Sequence, residues 1–423
     1  MRQTTAAEAN LVAAIKGWVH EHQQEMAGLL EELISIPTEN PPGKNYEQCA
    51  NALQQRVRDA GLRCERLECR AAGAERQEKV SSLMGTYGDG ERALYFHGHY
   101  DVVPAQSAEQ FNPRRDKNFI FGRGTCDMKG GIVSMFYAVR ALKECGVQLN
   151  GRLVLALVPD EETGGERGSA WLAQEGLLGR DGIGMLTAEP TSGVVWNANR
   201  GAITLRVDVL GKSAHVGLQH QGENAFEAMH AVVARLLQLK RKVEARTTRL
   251  NVAGVSYADA RSKAKPGPQN SILLIGGESG GGTNFNAVPD RCWFTVDRRI
   301  NPDEDFEEEK NRLLEVLSDC KRDGTRIEWK ILQEGRASNA DPNQPLGSAL
   351  AQAVHQVTAE HARFELCPGL LENRFYAAHG IPAYGYGPGL LSVAHGPNEY
   401  VDLRRVADCA VIYALAAAQT LKA

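Results

Sequence analysis

The sequence predicts an α/β fold, a mostly parallel sheet flanked by helices, with an α+β open-faced sandwich inserted into it. Three observations carry this expectation. Short apolar runs alternate with longer helical patterns up to about Thr187. The texture then changes at VVWNANRGAITLRVDVLG, a long alternating stretch starting at Val194. The α/β pattern resumes after about Thr325. A chain of 423 residues, 43% hydrophobic and 24% charged, is too long for one simple core and suits two domains. The expected boundaries are 1–196 and 321–423 for the α/β domain and 197–320 for the inserted one.

Helical spacing runs from Ala6 to about Ile36, where Pro37, Pro41 and Pro42 force a turn before a second helix reaching about Ala60. Apolar runs at Ala93 to Phe96, Leu153 to Val158 and Gly184 to Thr187 read as strands, with helices expected near Gly130 to Cys145 and Ser169 to Glu175. In the insert, helices are expected near Ala225 to Lys240 and Glu304 to Ser318, and strands near Ser271 to Ile275 and Cys292 to Val296. A helix from Pro345 to Glu360 and a strand in GIPAYGYGPG complete the returning part.

With 48 Lys and Arg against 52 Asp and Glu, and no long basic stretch, neither nucleic acid nor a membrane is an expected partner. No stretch approaches the roughly 18 apolar residues of a membrane span, and MRQTTAAEANLVAAIKGWVHEHQQ lacks an apolar leader core, so a cytoplasmic location is expected. The nine cysteines contain no CxxC pair and are expected to be reduced structural thiols, Cys126 included although it adjoins Asp127.

Three of the predicted strands run into acidic or imidazole residues. LYFHGHYD supplies His99 and Asp101, LVLALVPDEE supplies Glu161 and Glu162, and GMLTAEP supplies Glu189. Ligands of open α/β sheets bind beyond the carboxyl ends of strands, so these residues can converge, with Asp127 of FGRGTCDMKGG joining from the loop before a helix. Each has an ordinary structural use: Asp127 as a helix cap, the Asp160 to Glu162 run as a solvated loop, His99 as a core histidine. Their joint placement after successive apolar strands outweighs those uses. So many carboxylates can share a pocket in ionised form only around a cation, and an imidazole and carboxylate set without thiolate suits zinc, manganese or cobalt. His97 and His99 compete for the ligand role; Asp101, two positions beyond His99, favours His99 because a carboxylate can orient a ligating imidazole.

The motifs HGHYDVVPA, GRGTCDMKGG, PDEETGG, TAEPT, GKSAH, NAVP and AHGPNEYV, in that order from about Glu31 to Tyr400, resemble the successive signatures of one family. It is the co-catalytic zinc amidohydrolase family of acetylornithine deacetylase, succinyl-diaminopimelate desuccinylase, aminoacylase and glutamate carboxypeptidase. The resemblance implies two divalent metal ions, zinc or else cobalt or manganese. His99 and Glu189 would hold one, Glu162 and His395 the other, and Asp127 would bridge them. Glu161 would be the general base and Asp101 the carboxylate behind His99. The insert would be a lid and dimerisation domain, implying a homodimer, with His215 of GKSAH stabilising the oxyanion, often from the neighbouring subunit of such enzymes. Asn286 and Arg299 fit substrate-holding positions, although a salt bridge at a strand end accounts for Arg299 equally well. GKS is no P-loop, because Arg206 stands where that motif needs glycine.

The implied reaction is hydrolysis of the amide bond of an N-acyl amino acid or related small molecule. The alternative is a dipeptidase or carboxypeptidase of the same family. A non-catalytic binding homologue is disfavoured because Glu161 and all five ligands occur together. One segment departs from the pattern: PGLLENRFYAAHGIP has Leu371, Glu372 and Asn373 where Thr, Asp and Ala are usual, while Arg374 is kept. That loop bears on the substrate, so neither biosynthetic activity is assigned.

Overall fold

The computed structural model describes residues 6–69, 80–254 and 267–422. The chain opens with α1 (Ala6–Glu21), α2 (Gln23–Ile34) and α3 (Tyr46–Asp59). The single helix expected from Ala6 to Ile36 is thus two. His22 stacks on Trp18 and its Nδ1 lies 2.7 Å from the Trp18 carbonyl oxygen, a side-chain bond that competes with the helical ladder where α1 stops.

The elements that follow are β1 (Arg63–Cys69), β2 (Val80–Asp89), β3 (Ala93–His99), β4 (Arg114–Asp116), β5 (Phe119–Phe121), α4 (Lys129–Glu144), β6 (Gly151–Val158), α5 (Ser169–Gln174), β7 (Gly182–Thr187) and β8 (Val195–Asn199). The large sheet has the order β1-β2-β6-β3-β7, then β15-β8-β13, with a further strand beside β8. These last are β13 (Ser338–Asn339), β14 (Phe364–Cys367) and β15 (Ala383–Gly385). Its centre, β6-β3-β7-β15, is parallel and its flanks are largely antiparallel, giving the mixed, mostly parallel sheet that the sequence predicts. β3 is buried throughout, as a strand covered on both faces must be. Leu94 and Phe96 face the core built with α4, α8 (Pro345–Thr358) and α10 (Leu403–Thr420), while Ala93 and Tyr95 face a core built with α5 and α9 (Asn373–Ala377). Leu94 and Phe96 each contribute on the order of 1.5–3 kcal/mol. A small sheet, β4, β5 and β16 (Tyr400–Asp402), lies apart. The strands β1 and β2, this small sheet and α10 are absent from the sequence expectations.

Between the two parts of the large sheet lie β9 (Gly201–Leu210), α6 (Ala225–Glu244), β10 (Ile272–Gly281), β11 (Arg291–Ile300), α7 (Phe306–Arg322) and β12 (Ile327–Gly335). They form a second, antiparallel sheet of order β10-β11-β9-β12, with one face packed under α6 and α7. Alternate residues of β12 are left open, which makes the sandwich open-faced. Two expectations need correction. The stretch from Val194 is two strands in different sheets, broken at buried Arg200, whose Nε donates to Asn301 and whose Nη2 donates to the carbonyls of Pro268 and Asn270. The α/β pattern does not resume at Thr325 either, because β12 pairs with β9 and the chain recrosses only between Gly335 and Ser338.

A strand-like link also ties the inserted domain to the large sheet. Ala253 N donates to Leu366 O at 2.9 Å and Leu366 N donates to Asn251 O at 2.7 Å, which lays residues 251–253 along β14. All nine cysteines are free. Among the described residues, no helix is long and apolar enough to cross a membrane.

Candidate metal centre

The carboxyl ends of three adjacent parallel strands build the site. β3 ends on His99, with Asp101 just beyond; β6 leads into Asp160, Glu161 and Glu162; β7 leads into Glu189. Asp127 arrives from the loop before α4, and His395 from the turn before β16, held in the left-handed region at φ 61.

The ligand atoms of His99, Asp127 and Glu189 all lie within 4.8 Å of one another, and so do those of Asp127, Glu162 and His395. His99 Nε2 is 3.3 Å from Asp127 Oδ1 and 3.7 Å from Glu189 Oε1. His395 Nε2 is 3.3 Å from Asp127 Oδ2 and 3.4 Å from Glu162 Oε2. The two oxygens of one buried aspartate therefore face two separate donor sets. His99 Nδ1 lies 3.0 Å from the Asp101 carbonyl, an arrangement that leaves Nε2 to face the other two donors.

Electrostatics test whether cations fit. Burial pushes the Glu161 and Glu189 carboxyls well above the usual range against the pull of His99, and neighbouring carboxylates add to the rise. Burial likewise raises Glu162, despite its bond to His395. His395 is pushed up to about 11 by Asp127 and then Glu162. His99 is raised too, because Asp101 and Asp127 overcome its burial. Asp127 is held low: burial opposes ionisation, but His395 and His99 outweigh it. The pocket thus draws positive charge wherever it can be found, and the hard oxygen and imidazole donors suit a pair of divalent ions.

The Asp101 carboxylate does more than stand behind His99. Its oxygens accept the backbone N–H groups of Glu161 and Glu162, each at 3.1 Å, and the Asn40 amide at 2.9 Å. Burial would raise this carboxyl, yet His99, Asn40 and the Glu162 N–H hold it down. Asn40 also donates to Thr163 and Asp160, tying the first proline-rich loop to the turn that carries Glu161. Sequence reasoning missed Asn40, whose only signal is its place in TENPP. It missed Glu399 too, although that residue lies within AHGPNEYV. Glu399 accepts the backbone N–H groups of Gly124, Cys126 and Asp127.

His97 is buried away from both donor sets. Its Nε2 meets Glu372 at 2.5 Å and its Nδ1 meets the Tyr376 hydroxyl at 3.0 Å. Arg374 donates to the Gly164 carbonyl, bracing the turn that bears Glu161 and Glu162. The other three predicted residues lie in the small domain. His215 is exposed, its Nδ1 accepts the Gly217 N–H, and the adjoining Val216 N–H donates to the Asn286 carbonyl, so His215 and Asn286 are neighbours. Arg299 pairs through Nε and Nη2 with Asp297, the strand-end salt bridge weighed above. Among the described residues, no hydrogen bond or ion pair joins these three to the clustered donors.

Comparison with known proteins places this geometry. The profile described as "Peptidase family M20/M25/M40" matches residues 95–419. The chain is 26% identical to N-formyl-4-amino-5-aminomethyl-2-methylpyrimidine deformylase of Bacillus subtilis, covering 92% of this chain and 93% of the relative. It is 27% identical to aminoacylase-1 of Sus scrofa, covering 89% of each. Among solved structures, the di-peptidase Dug1p of Saccharomyces cerevisiae superposes with a TM-score of 0.78 at 15% identity, covering 97% of this chain and 99% of that one.

Proposed function

The chain belongs to peptidase family M20/M25/M40 and is a metal-dependent hydrolase of amide bonds; from that premise we propose that it deacylates a small N-acyl amino acid or a related N-acyl amine. The observation that carries this reading is the pair of donor sets sharing Asp127, with Glu161 on the same turn as Glu162. His99 and Glu189 would hold one ion, Glu162 and His395 the other, and Asp127 both. Zinc is the proposed ion, with cobalt or manganese as substitutes. Bound there, the pair would polarise the amide carbonyl and acidify a water molecule.

In this reading Glu161 takes the proton from the attacking water and returns it to the departing nitrogen. Its place on the same short turn as Glu162, with its backbone N–H held by Asp101, sets that carboxyl beside the donor set that would hold an ion. Asp101 fixes the His99 ring and, through two N–H groups, the backbone of Glu161 and Glu162. His215 would donate to the developing oxyanion, with Asn286 beside it. Arg299 would offer a substrate carboxylate its Nη1, since Asp297 engages the other two nitrogens. Reaching the centre requires closure of the small domain or a second subunit. We favour a homodimer through that domain, because every large exposed apolar side chain among the described residues lies there, Val216, Leu218, Phe226 and Phe285 among them. A monomeric mass at micromolar concentration in solution would refute the dimer.

Relatives similar over nearly the whole chain bear the names deformylase, desuccinylase and aminoacylase, which supports deacylation over dipeptide cleavage. Hydrolysis rates on N-formyl, N-acetyl and N-succinyl amino acids and on dipeptides, each with defined zinc, cobalt or manganese, test it. The acyl compounds are expected to react faster; a dipeptide preference would reverse the assignment.

A further inference from the structure

One ion pair lies outside the donor sets and touches the backbone of both segments that carry Asp127 and His395. Arg123 Nη1 donates to Glu399 Oε2 at 2.6 Å, and both side chains are only 1% exposed. The other Glu399 oxygen accepts three N–H groups of one turn, from Gly124 at 2.9 Å, Cys126 at 2.9 Å and Asp127 at 3.1 Å. Arg123 Nη2 donates to the carbonyl of His395 itself at 3.1 Å. A parallel pair of bonds closes the same gap: Gly122 N donates to the Glu399 carbonyl and Gln110 Nε2 to that of Gly396.

We propose that the Arg123–Glu399 pair is a positioning device that keeps His395 in register with Asp127 and thereby sets occupancy of the metal position between Asp127, Glu162 and His395. The inference rests on the two-metal reading above. A buried ion pair adds little net stability over apolar residues of similar size, because desolvation consumes most of the attraction. What such a pair does provide is directional bonding, and here its bonds end on the backbone of two ligand residues. The two metal positions depend on it unequally. His99 and Glu189 hang from strands β3 and β7 of the sheet. His395 is half-exposed, lies in a turn, and holds a left-handed backbone that a non-glycine residue keeps only when its surroundings impose it. Loss of the Arg123 bond therefore frees the His395 side first.

The test uses the full chain with Arg123→Lys, which keeps the charge but loses the fork, and Glu399→Gln, which keeps the shape and one acceptor. Each protein is loaded with zinc, dialysed against graded chelator and assayed for zinc per chain, with thermal melting of the metal-free form alongside. Wild type is expected to hold two equivalents. Both variants are expected to hold the first normally and to bind the second about 10–100-fold more weakly, the usual range for partners behind metal ligands, and in the metal-free form Arg123→Lys, which keeps both charges, is expected to melt nearer wild type than Glu399→Gln, which leaves a buried charge unpaired. Retention of both equivalents at wild-type affinity in either variant overturns the proposal and leaves the two-metal reading intact. Equal weakening of both equivalents in both variants also overturns it, since the pair would then be a general support of the fold and not of the His395 side. Wild type holding no more than one equivalent would remove the two-metal reading and this inference together.

Discussion

At the scale of single residues, chemistry and structural support are carried by different side chains. Glu161 is the one proposed to move protons. Glu161→Gln is expected to lower kcat by at least about a hundredfold with metal content unchanged; near-normal turnover would remove it from the reaction. Glu309 is a purely structural counterpart in the small domain. Both its oxygens meet Arg246 at 2.6 Å and one meets Arg298 at 2.7 Å. Burial would raise its carboxyl, but Arg246 and Arg298 outweigh burial and hold it at about 2. A depressed carboxyl stabilises the fold fully above its unfolded value near 4.5 and loses that contribution as pH falls toward 2. The melting temperature of wild type should therefore drop more steeply over that window than that of Glu309→Gln; parallel curves would contradict this. The clustered donors were legible because acidic residues directly after apolar strands have little structural reason to collect there. His395 became legible only through the family resemblance, since nothing in LSVAHGPNEY marks a strand end. Asn40 and Glu399 were not legible, because Asn40 donates to side chains far off in sequence and Glu399 accepts backbone N–H groups, and neither kind of bond leaves a spacing in the sequence.

At the scale of elements, the site depends on how closely helix α4 can approach the strand end that carries Glu189. Gly131 in α4 has room for no side chain: a Cβ there would overlap both the carbonyl oxygen and the Cβ of Ala188, and Gly387 closes on the Ala188 and Glu189 carbonyls from another segment. Gly131→Ala is expected to cost about 1–3 kcal/mol by overpacking and to weaken the metal position of His99 and Glu189 by displacing that strand end. Unchanged melting and metal affinity would show that the helix yields freely. β3, β6 and β7 were readable because apolar runs in a parallel sheet are buried on both faces and stop abruptly. The break at Arg200 was passed over, because the shift of apolar positions across it, from Trp196 and Ala198 to Ile203, Leu205 and Val207, also fits a bulge in one strand; the bonds to Pro268, Asn270 and Asn301 show that the sheet changes there. The division of α1 from α2 has the same kind of cause, a local bond from His22 to Trp18 that helical periodicity cannot register.

At the scale of the whole molecule, the sequence conveyed two architectures and their nesting but misplaced where the second ends. β12 alternates apolar and polar residues as an edge strand of either sheet would, so its membership is decided by pairing with β9 and not by composition. The two crossings, at Arg200 and between Gly335 and Ser338, are neighbours in space because the strands on either side of them pair, Asn199 with Ser338 and Ala202 with Gly335. A domain hung on two adjacent crossings would swing freely, but the bonds of residues 251–253 to Leu366 add a third attachment. The consequence concerns time. If His215 reaches the centre by rotation of its domain, these two backbone bonds must break and re-form in every cycle, so the amide protons of Ala253 and Leu366 become a clock for opening. Hydrogen exchange at Leu366 is expected to be slow in the resting protein and to quicken during turnover. Exchange that ignores turnover would mean that the domain stays fixed and that catalysis runs without its motion.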